Sequence, residues 1–327
     1  METKRLEYFI KIVEYGNITR AAAQIGIAQP ALSQQLAILE SELKARLLIR
    51  TAQGVSPTPE GLVLYRHACI IVRQIEQART GLQSAADRLS GTVSIGLPVS
   101  TGMVLSLPLL TRVRAEQPGI QLHLTEGVSG YLGELATSGR LDLALLFKTE
   151  TSPGLSVHPL WNEELFLVGP KGMTFALPVH IEQLAELPMV IPGKTHAARM
   201  ILEMVLGRAG LTPNVITEVD SIPTMKAAIE DGMGFTLLPW HSVRQEIAQG
   251  RIAAMSVGDA VLWRTVSLCT PDSVPLMPAT QYVHNTIMEL AAVLLSKEKG
   301  MTAHSKMKVS NEVTSIGAGG PKRQGRR

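Results

Sequence analysis

Residues 18–37 read ITRAAAQIGIAQPALSQQLA, and the architecture of the N-terminal region follows from them. Thr19 is placed to cap a short helix in which Ala21, Ala22 and Ala23 let a neighbouring helix approach closely, with Ile25 and Ile27 as apolar contacts. Gly26 permits a turn. Pro30 stands at the start of a second helix, where its missing N–H costs nothing, and Leu32, Leu36 and Leu39 follow at spacings of four and three. The pattern predicts a helix-turn-helix. Its polar face carries Gln29, Ser33, Gln34 and, at its edge, Gln35. Glutamine can hold adenine bidentately in the major groove and serine can bond bases or phosphates, so this face is suited to reading a duplex. An ordinary helical hairpin with a solvated polar face would carry the same residues.

On the N-terminal side, KRLEYFIKIVEY (4–15) puts Leu6, Phe9, Ile10 and Val13 on one face, as a bracing helix requires. On the other side, LLIRTAQGVSPT (47–58) offers two short β-like runs around Gln53-Gly54, a wing beside the two helices. Arg50 is either its phosphate contact or a surface arginine over the small core. Thr58, Pro59 and Glu60 then form a strong helix start, and the helix is predicted to run to Leu89. Tyr65, Ala68, Val72, Ile75, Leu82, Ala86 and Leu89 recur at threes and fours, interrupted by Arg79. A rod of roughly 45 Å outreaches a module of some sixty residues, so the stripe needs a partner. A second copy is the simplest one, and a dimer would address two half-sites about one helical turn apart. Packing back onto the rest of the chain is the alternative.

The 327 residues suffice for two or three domains, and 45% apolar with 18% charged residues describes globular chains rather than disordered ones. The net charge of +3 is unevenly spread. Residues 1–90 carry 11 Lys/Arg against 8 Asp/Glu, residues 91–300 carry 14 against 19, and residues 301–327 carry 6 against 1. A basic head on an acidic body fits a polyanion-binding module joined to a domain with another task. Glu2, Lys4, Arg5 and Glu7 do not read as a secretory leader, and no uncharged apolar run approaches the roughly 18 residues of a spanning helix, so the expectation is a cytoplasmic protein without membrane contact. Cys69 and Cys269 have no metal-ligand spacing and read as buried, reduced thiols.

From Gly91 the chain reads as α/β. Strand-like runs at 92–96, 120–125 and 141–147 alternate with helical stretches at 103–116 and 131–138, favouring a parallel sheet. The rhythm returns with strands at 164–168, 189–191, 215–219 and 234–238 and helices at 197–209 and 224–231. Two similar halves predict two subdomains with a cleft between them, and the strand at 265–269 and helix at 282–295 return to the first half. The expected organisation is residues 1–58 as a winged head, 59–90 as a linker helix and 91–300 as the body. Within the body, subdomain I covers about 91–161 plus 265–300 and subdomain II about 162–264. Residues 301–327, ending GAGGPKRQGRR, are expected to form a disordered basic tail. Ligands of open α/β sheets gather at strand ends near helix N-termini. Loops 98–102, with Ser100 and Thr101, and 192–196, with Thr195 and His196, fit that description and could hold a small carboxylate. Simple capping explains Ser100 and Thr101 equally well, and His196 fits a solvent-exposed or capping role better than ligand contact.

Residues 5–61, RLEYFIKIVEYGNITRAAAQIGIAQPALSQQLAILESELKARLLIRTAQGVSPTPEG, are similar almost position by position to the N-terminal domain of LysR-type transcriptional regulators. A weaker resemblance extends over about 300 residues, through LSGTVSIG (89–96) and DGMGFTLLP (231–239). Within that family, AQPALSQQ, RHACIIVRQIEQA, EELFLVG and SIPTMKAAIEDGMG resemble regulators of nitrogen assimilation. The resemblance implies a winged helix-turn-helix, a dimerising linker helix, a periplasmic-binding-protein-like effector domain, usually a homotetramer, and RNA polymerase as a further partner. It carries base or phosphate contacts onto Gln29, Pro30, Ser33 and Gln34, with a wing contact at Arg50, and it places Ser129 and Phe147 beside Ser100, Thr101, Thr195 and His196 at the effector pocket. No cofactor or metal is implied. Members often have arginine where Gln34, Gln53 and Ser56 stand here, which removes cationic contacts and flattens the expected salt dependence of DNA binding. The bulk of Phe147 leaves open a partly closed cleft and a regulator that needs no small effector. A solute-binding protein fits the body alone but not the head. An enzyme finds no support in motif spacing, and His67, His123, His158, His180, His196, His241, His284 and His304 show no ligand spacing.

Overall fold

The computed structural model describes residues 1–51, 53–83, 89–150, 152–173, 179–258, 262–272, 275–297 and 301–303. The head consists of α1 (Thr3–Tyr15), α2 (Ile18–Ile25) and α3 (Gln29–Leu43). Leu6, Phe9 and Ile12 of α1, Ile18, Ala21 and Ala22 of α2, and Leu32, Leu36 and Leu39 of α3 interlock in one core. Asn17, not Thr19, caps α2: its side-chain oxygen accepts from the Arg20 N–H at 3.1 Å, while Thr19 already lies inside the helix. Gly26 ends α2 at φ 78°, and Pro30 occupies the first turn of α3. Strands β1 (Leu48–Thr51) and β2 (Gly54–Pro57) pair antiparallel as the wing, tied to the end of α1 by Val55 N–H donating to the Gly16 carbonyl at 2.8 Å.

Helix α4 (Pro59–Gln83) starts as its sequence dictates, with Thr58 Oγ1 accepting from the Gly61 N–H at 2.9 Å. Its predicted continuation through 84–88 lies outside the described residues, and Leu89 is not helical. The first part of the predicted apolar seam is used inside the chain. Ala68 and Cys69 are buried in the head core, and Tyr65 and Val72 pack against it, because α1 lies along this face of α4. Leu62, Val63 and Ile71 remain exposed.

The body begins with β3 (Gly91–Pro98), α5 (Val99–Glu116), β4 (Ile120–Gly127), α6 (Ser129–Thr137) and β5 (Leu143–Phe147). It continues with β6 (Leu155–Pro170), α7 (Ile181–Glu186), β7 (Met189–Ile191), α8 (Ala197–Arg208), β8 (Val215–Glu218) and α9 (Ile222–Glu230). Strand β9 (Thr236–Pro239), α10 (Trp240–Ala248), β10 (Ile252–Met255), β11 (Trp263–Pro271), α11 (Pro278–Lys297) and β12 (Met301–Ala303) complete it. The main sheet runs β10-β6-β11-β5-β3-β4, with β9 and β12 also paired to β6. It is mixed rather than parallel: β3 is parallel to β4 and β5, but β11 is antiparallel to β5 and β6.

Strand β6 is sixteen residues long, and the expected subdomain boundary after 161 falls inside it. Leu155–Glu164 pairs with β11, and Leu165–Pro170 with β9 and β10, so one unbroken strand enters both halves. Subdomain I is centred on Ile95, Leu97, Leu105, Leu109, Leu145 and Trp161. Subdomain II is built around Leu165, Leu167, Leu184, Leu202 and Phe235, with Val190, Met225 and Ile229 beside them. The supposed tail begins with structure, since Met301–Ala303 pairs with Glu163–Trp161, while 304–327 lie outside the described residues. No described helix is long and apolar enough to cross a membrane.

Candidate DNA-reading face and effector cleft

Helix α3 is held by three leucines, which turns its other side outward. Gln29, Pro30 and Gln34 are exposed and Ser33 is half-buried, with Gln29 Nε2 donating to Ser33 Oγ at 2.8 Å across one helical turn. Gln35 is turned away from this set, accepting from Arg5 Nε at 3.1 Å, so it braces α3 against α1. Arg50 is exposed on β1 of the wing, and Arg20 is exposed on α2. The four α3 residues and Arg50 are therefore all available to a molecule lying against the head.

Between the subdomains lies a cavity of about 230 Å³. Pro98, Val99 and Ser100 form one wall, Pro192, His196 and Asp220 the facing one, and Ser129, Phe147 and Arg264 close it. Of the predicted effector residues, Ser100, Ser129, Phe147 and His196 line this space. Thr101 and Thr195 do not. Helix α5 begins at Val99, earlier than predicted, which winds Thr101 into the first turn and buries it completely; Thr195 is exposed on the loop before α8.

The polar groups around the cavity are already engaged. Arg264 reaches Glu163 at 2.6 Å, donates to Ser100 Oγ at 2.8 Å and lies over the Phe147 ring, 3.8 Å from its centroid. His241 Nε2 donates to the Ser100 carbonyl at 2.9 Å, and its Nδ1 faces the second Glu163 oxygen at 3.8 Å. Ser129 Oγ accepts from the Phe147 N–H at 3.0 Å, and His196 Nε2 sits 3.3 Å from Asp220. Ser100 on α5 is thus gripped by β11 and α10, and the guanidinium that would attract an anion is neutralised by a carboxylate only 1% exposed. Arg264, Glu163 and His241 were not singled out from sequence. Their signal was faint: an adjacent Glu163-Glu164 pair in one β run and a lone Arg264 in another, with Arg264 set directly opposite Glu163 by the β6–β11 register. Among the described residues no cluster of three or more His, Cys, Asp or Glu is placed to hold a metal ion.

A winged helix-turn-helix, a long connecting helix and a two-lobed α/β body with an internal cleft define a DNA-binding regulator with a sensor-like domain. Residues 3–62 match the model of bacterial regulatory helix-turn-helix proteins of the lysR family, and residues 86–292 match the LysR substrate binding domain. The chain belongs to the LysR family of transcriptional regulators. It is 38% identical over 293 residues to the nitrogen assimilation regulatory protein nac of Escherichia coli (strain K12), covering 89% of this chain and 95% of that one. It is 37% identical over 295 residues to the protein of the same name from Klebsiella aerogenes, covering 89% and 96%. A full-length OxyR structure from Pseudomonas aeruginosa superposes with a TM-score of 0.69 at 22% identity, covering 92% of this chain and 98% of that chain, which speaks to the fold.

Proposed function

We propose that this protein regulates transcription by laying the α3 faces of at least two copies on a bipartite, roughly symmetric promoter site. The outward set of Gln29, Pro30, Ser33 and Gln34 on a helix anchored from behind by Leu32, Leu36 and Leu39 carries this reading. Arg50 supplies a wing contact to phosphate. Val63 and Ile71, exposed on one side of α4, give an apolar contact for a second copy. Met103, Leu107 and Leu110 form an exposed stripe on α5, and Met200 and Met204 are exposed one turn apart on α8, which supports a second interface and a homotetramer. The likeness to nitrogen assimilation regulators supports a role in nitrogen or related metabolism, in the cytoplasm, with RNA polymerase as a partner and no enzymatic activity.

A small anionic metabolite entering the cleft would meet Ser100, Ser129, His196 and the Arg264 guanidinium. A second reading, action without a small effector, is favoured by the pairing of Arg264 with Glu163 and the stacking of that guanidinium on the Phe147 ring at the cavity wall. A mobility-shift assay on duplexes selected from genomic fragments, with and without a panel of small carboxylates, separates the two. Gln29→Ala and Ser33→Ala are each expected to weaken specific binding by about 1–3 kcal/mol. Unchanged affinity in both would remove α3 from the interface.

A further inference from the structure

Helix α4 carries the head at one end and touches the body at its fourth turn. There Arg73 pairs with Asp142, at the start of β5, and donates from Nη1 to the Gly139 carbonyl at 3.0 Å. Asp142 is anchored in turn, accepting from the Ser94 N–H at 2.8 Å and donating its own N–H to the Ser94 carbonyl at 2.9 Å. Burial draws the Arg73 guanidinium below its ordinary range, against the opposing pull of Asp142. Gly139 has φ +70°, and a Cβ there would stand 2.4 Å from Ile70 Cγ1 and 3.3 Å from the Ile70 Cα, so α4 is seated as closely as a glycine allows. The neighbouring junction is hollow. A cavity of about 780 Å³ separates head from body, bordered by Ile10, Lys11, Val72, Leu89 and Pro278, with Arg73 at its edge. One polar crossing beside it is weak, with Arg140 Nε 4.0 Å from Glu14 of α1.

We propose that Arg73 and Asp142 are positioning residues for DNA recognition, fixing the heading of α4 on subdomain I and through it the separation of the two recognition helices on a bipartite site. Beside a hollow junction, a part-buried ion pair, hydrogen-bonded on both sides and set against the close Gly139–Ile70 contact, can define one heading. The pair touches neither DNA nor the cleft, so its influence falls on the spacing of half-sites and not on the reading of either one. This inference rests on the bipartite reading above.

The test uses full-length protein and a half-site duplex recovered by selection from a random pool. Affinity is measured for one half-site alone and for pairs whose centres are moved apart in single base-pair steps. Wild type is expected to prefer one spacing by tenfold or more. Arg73→Ala and Asp142→Ala are expected to flatten that preference to within threefold while single half-site affinity stays within twofold, and Arg73→Lys, which keeps a cation with donors for both Asp142 and the Gly139 carbonyl, is expected to retain a preferred spacing. The proposal is overturned if either alanine variant keeps the wild-type preference, if half-site affinity falls in step with it, as simple loss of fold would cause, or if Arg73→Lys loses the preference as fully as Arg73→Ala. A wild type without any spacing preference would defeat the bipartite reading itself.

Discussion

Replacing Glu163 by Gln tests how the cleft is held. In the native protein the carboxylate is 1% and the Arg264 side chain 8% exposed, so neither is relieved by solvent. Removing one partner of such a pair costs about 3–5 kcal/mol, because the remaining charge stays buried. Glutamine keeps one oxygen able to accept from Arg264 Nε, which places the loss near the lower bound, about 3 kcal/mol. That is a large share of the roughly 5–15 kcal/mol of a typical domain. The freed guanidinium then faces the cavity beside Ser100, and a small anion becomes a ligand. Acetate at one hundred times its dissociation constant would contribute about 2.7 kcal/mol to the variant and nothing comparable to the wild type. Urea unfolding followed by the fluorescence of Trp161, Trp240 and Trp263, with and without acetate, reads both effects. A loss under about 1 kcal/mol, or equal stabilisation of both proteins by acetate, would refute the claim that Glu163 neutralises the cleft.

Burial pushes the Cys269 thiol up to about 11, so its contribution to stability is complete below the ordinary thiol range and is lost as pH rises toward 11. Native protein should leave Cys269 unreacted toward a thiol reagent at pH 8, with reaction appearing on unfolding; prompt native labelling would contradict its burial. The log–log salt slope of specific DNA binding should fall well short of the roughly −9 that ten neutralised phosphates produce. A slope that steep would expose a basic surface beyond the head. Leu107 is 73% exposed at the middle of the α5 stripe, so Leu107→Asp should leave the melting temperature unchanged and lower the assembly order in sedimentation. An unaltered assembly would place the second interface elsewhere.

The head was legible because each helix needs only its own short periodicity: Leu32, Leu36 and Leu39 fix which side of α3 turns inward, whatever the rest of the chain does. The cap of α2 was misplaced by two residues because asparagine and threonine are both good caps, and backbone conformation, which composition does not print, selects Asn17. The first part of the α4 seam, Tyr65, Ala68 and Val72, packs against the head of its own chain, and the Leu82 and Ala86 side chains lie outside the described residues. A stripe at threes and fours suits α1 of the same chain as well as a second copy. In the body, β6 was cut short because both its faces are covered, and alternation vanishes when neither side meets water. Ser100 and His196 could be anticipated from strand ends and helix starts, and Ser129 and Phe147 only from the family resemblance. The Arg264–Glu163–His241 network could not, since its members are up to 101 residues apart and meet only through the antiparallel register of β11 on β6 and the start of α10.

The most direct measurement is a footprint of the full-length protein on a selected genomic duplex, run beside sedimentation of the same sample. Protection of two half-sites about one helical turn apart by a dimer or larger assembly, lost when Gln29 and Ser33 are both changed to alanine, is the predicted result. A monomer that protects no sequence in preference to bulk competitor DNA would contradict it.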